Sequence, residues 1–93
     1  MRLSDGEVSS IKNTIHHRDP KARIILFGSR TDDTKKGGDI DIFIVSHILT
    51  EKDKRDLKIA LYESLGEQKI DILIEPEPMT ALGKIAMKGG IEL

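Results

Sequence analysis

Residues 39–46 read DIDIFIVS: two aspartates one residue apart, set in a run of isoleucine, phenylalanine and valine. β-Branched and aromatic residues in strict alternation predict a strand. Side chains alternate across a strand, so Asp39 and Asp41 share a face with Phe43 and Val45, and Ile40, Ile42 and Ile44 take the other. The isoleucine face is the one to bury. An ionised carboxylate removed from water is costly unless a cation or hydrogen-bond donors meet it. The aspartates therefore need a partner.

Residues 69–75, KIDILIE, repeat the arrangement, with Asp71, Leu73 and Glu75 on one face and Ile70, Ile72 and Ile74 on the other. If the two isoleucine faces agree, Asp71 joins Asp39 and Asp41 on one surface, a strand away at about 4.8 Å. Carboxylates this close repel unless a divalent cation neutralises them. Oxygen ligands without His or Cys suit Mg²⁺ or Mn²⁺ rather than zinc. Charges that keep an edge strand from aggregating are the other reading. That reading explains one such charge better than three on a common face.

The remaining elements follow from local signals. Ser4 caps a helix, Glu7 closes the capping box, and Leu3 with Val8 forms the hydrophobic staple. Val8, Ile11 and Ile15 then fall on one helical face, and Pro20 ends the helix. RIILF, residues 23–27, is a buried strand that stops at Gly28-Ser29, and residues 30–38 form a loop or a short helical turn. Thr50 caps a second helix running to Leu65, with Leu57, Ala60, Leu61, Ser64 and Leu65 inward and Gly66 as its stop. Pro76 and Pro78 close the third strand. A last short helix spans residues 80–88, with Gly89 ending it.

The order is α-β-β-α-β-α. The β-α-β unit predicts a parallel, right-handed crossover between the second and third strands, and the first two strands are expected to be antiparallel. The expected fold class is α+β: a small mixed sheet of three to four strands with helices mainly on one face. One domain over residues 1–93 is expected, and a chain of 93 residues buries only about 60–65% of its unfolded surface. Its core is thin, so association with itself or with a partner is expected.

Fifteen basic and sixteen acidic residues give a net charge of −1, which argues against a general nucleic-acid coat protein. Aromatic residues are few (Phe27, Phe43, Tyr62), which leaves little for base stacking. There is no cysteine, no apolar run long enough to span a bilayer, and no apolar signal in the opening MRLSDGEVSS. A cytoplasmic protein with no membrane role is expected. His16, His17 and His47 read as surface residues, and Tyr62 as core or surface filler.

Gly28 permits close backbone approach or a positive φ at the end of the first strand, and Ser29 offers an N–H and a hydroxyl to a phosphate. Together, the stretch GSRTDDTKKGGDID resembles the signature of the DNA polymerase β-like nucleotidyltransferase superfamily. In that signature a Gly-Ser is followed about ten residues later by Asp-x-Asp. The short length resembles the minimal nucleotidyltransferases (MNT), often partnered with HEPN-domain proteins in toxin–antitoxin pairs.

The resemblance implies that Gly28 and Ser29 hold the triphosphate of an NTP, with Arg30 as a further phosphate contact. It implies that Asp39 and Asp41 bind two Mg²⁺ ions, with Asp71 as third ligand or as base for the attacking hydroxyl. Thr31-Asp32-Asp33 departs from the Arg or Ala-Arg that many members carry there. Lys35 and Lys36 read equally as triphosphate contacts or as a solvated loop.

The implied reaction transfers a nucleoside monophosphate, AMP from ATP, to a hydroxyl acceptor on a HEPN-type partner. The competing reading is a non-catalytic antitoxin that neutralises its partner by contact. Transfer to a small molecule is disfavoured, because no substrate domain is visible before the sequence ends at Leu93.

Overall fold

The protein is described by a computed structural model covering residues 3–28, 40–66 and 68–93. Its elements run α1 (Asp5–Arg18), β1 (Arg23–Phe27), β2 (Ile40–Val45), α2 (Glu51–Leu65), β3 (Ile70–Glu75), α3 (Ala81–Gly89) and β4 (Ile91–Glu92). The sheet order is β3-β2-β1-β4. β1 and β2 pair antiparallel, β2 and β3 pair parallel, and β4 pairs antiparallel with β1. This is the expected α+β fold with a mixed sheet.

Both faces of the sheet are apolar, and unequally so. Ile40, Ile42 and Ile44 of β2 and Ile70 and Ile72 of β3 meet Ile11 and Ile15 of α1 and Leu57 and Leu61 of α2 in the larger cluster. Fully burying one such side chain contributes about 1.5–3 kcal/mol. On the opposite face Ile25, Phe43 and Ala86 form a smaller cluster under α3, joined by Phe27, Val45, Leu73 and Met87. The isoleucine faces of β2 and β3 thus agree, as the alternation predicts, and α3 shares the other face with the carboxylates.

The helix ends follow their sequence signals. Ser4 and Glu7 form the capping box of α1, and Leu3 and Val8 pack into the larger cluster. Thr50 caps α2 and Asp53 returns the bond, a second capping box that the sequence reading did not identify. Gly66 ends α2 at φ +88°.

Four local expectations are corrected. Ser64 is exposed rather than inward. Gly89 lies inside α3, whose C-cap is Gly90. β4 was not anticipated, because two residues are too few to show a period. His16 is half buried and donates from Nε2 to the Ala22 carbonyl at 3.0 Å, so it braces the turn into β1.

At the C-terminal end of β2, buried Asp19 accepts a hydrogen bond of 2.6 Å from the Ser46 hydroxyl and one of 3.0 Å from the Lys21 amide. The Ser46 oxygen in turn accepts from the amides of Ile48 and Leu49. This network holds the two turns at the end of the sheet remote from Gly28 and Asp41.

Candidate active site

The site is built where β1 ends and where β2 and β3 begin. Asp41 lies directly beside Asp71 in the parallel β2–β3 register, and opposite Phe27 in the antiparallel β1–β2 register. Register partners on parallel strands point to the same face, and neighbouring strands lie about 4.8 Å apart. The two carboxylates therefore sit side by side, both half buried.

Gly28 follows Phe27 with φ +77°, in the left-handed region that costs a side chain steric strain. A Cβ placed there would collide with the Asp41 carboxylate. The glycine thus does two things: it turns the chain out of β1, and it lets backbone lie flush against the carboxylate.

A pocket of about 460 Å³ opens over this junction. Phe27, Asp41, Asp71 and Leu73 line it from the sheet, Lys54 from α2 and Leu82 from α3. A separate cavity of about 370 Å³ lies between α2 and the start of β3, lined in part by Ile59, Tyr62 and Ile70. It holds no aspartate, so the first pocket is the candidate for chemistry.

Gly28, Asp41 and Asp71 are thus brought together. Ser29, Arg30, Lys35, Lys36 and Asp39 lie outside the described residues. Among the described residues no three His, Asp or Glu side chains gather closely enough to hold a metal ion. The pair Asp41–Asp71 is nevertheless an all-oxygen donor set, and its close like charges favour a bound cation. These residues fit a hard divalent ion.

Glu75, on the same strand face as Asp71, has a different job. It is buried, and its carboxylate accepts from the Met79 amide at 2.8 Å, the Thr80 amide at 3.3 Å and the Thr80 hydroxyl at 2.6 Å. Burial pushes its pKa up, but the Thr80 hydroxyl and the two amides outweigh burial and hold it below the ordinary glutamate value. Glu75 fixes the start of α3 and so sets where Leu82 stands. Gly83 keeps that approach open, because a Cβ there would collide with the Glu75 carboxylate.

A family model described as a nucleotidyltransferase domain matches residues 8–90, from α1 through the end of α3. The chain belongs to the nucleotidyltransferase domain family. No curated protein matches it. For a nucleotidyltransferase domain, nucleotidyl transfer is the general activity, and the Gly28–Asp41–Asp71 junction is where its strands converge. Among the described residues no helix is long and apolar enough to cross a membrane.

The sequence reading missed part of this nucleotidyltransferase pocket. Alternation had already set Leu73 on the face of Asp71 without assigning it to a pocket, and Phe27 joins it only through its pairing with Asp41. Leu82 and Lys54 carry no such signal, because helix packing alone brings them to the pocket.

Proposed function

We propose that this nucleotidyltransferase domain transfers AMP from ATP to a hydroxyl acceptor, carried by a helical protein partner of the HEPN type. The observation that supports it best is the in-register pair Asp41 and Asp71 beside the side-chain-free approach at Gly28. Asp41 and Asp71, with Asp39, would hold Mg²⁺ or Mn²⁺. The ions supply charge neutralisation at the transferring phosphoryl group and the leaving pyrophosphate.

The chain's own residues do the rest. Gly28, with Ser29 and Arg30, receives the triphosphate at the end of β1; successive backbone N–H groups at a glycine turn are a chemistry that suits an anion. Asp71, one strand beyond Asp41, orients the acceptor hydroxyl and takes its proton. The acceptor oxygen then approaches the α-phosphorus in line with the departing pyrophosphate.

Calorimetry of ATP binding with Mg²⁺ and with EDTA tests the site. ATP should bind at least tenfold more weakly in EDTA, and Asp41→Asn with Asp71→Asn should abolish the metal-dependent difference. The doubly substituted apoprotein should melt no lower than the parent, because like-charge repulsion is relieved. Equal ATP affinity with and without metal overturns the reading. With a HEPN-type helical partner present, the parent should add adenylyl mass to that partner. Binding and inhibition without added mass would favour the contact-only antitoxin.

A further inference from the structure

Apart from Asp41, Asp71 and Lys54, the residues that line the pocket are apolar. Phe27 faces Asp41 across the β1–β2 pair, and Leu73 stands two residues past Asp71 on the same face of β3. Leu82 closes the pocket from α3 and is 50% exposed. Three residues to either side of it, Met79 and Ile85 are 58% and 65% exposed. The residues that α3 buries are the small ones, Gly83 and Ala86. A single exposed leucine needs no explanation. Here three large apolar residues are exposed on α3 and the residues leading into it, one of them lining a concavity that holds two carboxylates, and a mostly apolar hollow with few polar groups is the usual make-up of a ligand site.

The sheet order gives this wall a side. From Gly28 at the end of β1 the sheet runs across Asp41 on β2 to Asp71 and Leu73 on the edge strand β3, and Leu82 of α3 lines the same pocket. In the nucleotidyl-transfer reading, on which this inference rests, the phosphates lie at the Gly28 end and the acceptor approaches from the far side. We propose that Leu73 and Leu82 form the acceptor wall, and that the acceptor hydroxyl is carried on an apolar body, aryl or branched alkyl, rather than on a polyhydroxylated or polyamino sugar. Against leucine side chains a sugar's other hydroxyls lose water and gain no partner, and each such loss weakens binding roughly tenfold. An apolar body gains from the same contact.

In the step itself, the acceptor oxygen bonds to the α-phosphorus of ATP as the bond to the bridging oxygen breaks. Pyrophosphate leaves with that electron pair, and the hydroxyl proton passes to the Asp71 carboxylate and on to water. Leu82 takes no part in the bond changes. It selects what arrives.

The test uses the whole chain with Mg²⁺ and an ATP analogue whose α,β-bridging oxygen is replaced by methylene, so that binding is read without turnover. Benzyl alcohol, cyclohexylmethanol, glycerol and glucosamine are titrated while backbone amide shifts are followed. The first two should bind at least tenfold tighter than the last two and move the amides of Leu73 and Leu82. Pyrophosphate release from ATP should follow the same order. At saturating analogue, Leu82→Asp should erase that preference and Leu82→Met should retain it; thermal melts of both variants check the fold. Glycerol or glucosamine binding as well as the alcohols, or a preference that survives Leu82→Asp, overturns the acceptor assignment alone. Failure of the parent to bind the analogue overturns the nucleotidyl-transfer reading, and the assignment with it.

Discussion

Gly28 and Gly66 both hold a positive φ, +77° and +88°, yet they are not equivalent. Nothing lies within 4 Å of a Cβ placed on Gly66, whereas one on Gly28 runs into Asp41. Alanine at either position costs about 1–2 kcal/mol through backbone strain. At Gly28 it must also displace the carboxylate. Gly66→Ala should therefore lower the melting temperature and leave metal-dependent ATP binding intact, whereas Gly28→Ala should lower both. Calorimetry on the two variants checks this, and normal ATP binding by Gly28→Ala would show that the close approach is not used. At this scale the sequence was most informative. A glycine ending an apolar strand and aspartates alternating with isoleucine are local patterns, and Gly28, Asp41 and Asp71 were legible from them. The environment of His16 was not, because a hydrogen bond to a carbonyl six residues away depends on how the turn folds.

Among the elements, α3 depends on a side chain from another element. Its first turn is held by Glu75 of β3, through the amides of Met79 and Thr80 and the Thr80 hydroxyl. Because Glu75 titrates below the ordinary glutamate value of 4.5, its contribution is fully present above that value and is lost as pH falls through the lower folded-state pKa. Glu75→Gln should cost about 1–3 kcal/mol at neutral pH and progressively less in acid, where the parent loses the same charge. Asp53 and Glu92 are also held low, by the Thr50 amide and by Arg23 respectively, and they titrate in the same sense. The difference in denaturant stability between parent and variant across pH is therefore the informative quantity. A difference independent of pH would mean that the Glu75 charge is not what holds α3. Strands and helices were legible wherever caps and alternation were strong, as in β2, β3 and α2. β4 was not, since Ile91–Glu92 exists as a strand only because β1 offers it an edge.

Across the whole molecule, the last residues complete the sheet. Leu26 pairs with Ile91 and Ile25 with Glu92, and the Leu93 amide donates to the Ile24 carbonyl at 2.8 Å. Gly90 makes this possible, because a Cβ there would collide with Ile25 and with the Ala86 carbonyl. Arg23 and Glu92 form a two-bond ion pair at 2.7 and 3.0 Å, but they do so in solvent, where such pairs contribute little. Gly90→Ala should thus destabilise by about 1–3 kcal/mol through overpacking, and Arg23→Ala by clearly less; thermal melts of the two would rank them. The reverse ranking would show that the surface pair, not the close packing, holds β4. The two hydrophobic clusters, large under α1 and α2 and small under α3, have a further consequence for how the molecule breathes. Cooperative units open at free energies set by what they bury. Amides of α3 and β4 should exchange with solvent deuterium through a partial opening that leaves the β1–β2–β3 ladder closed, and amides of the central strands only through global unfolding. Asp41 and Asp71 face the side that opens first but stand on the strands that open last.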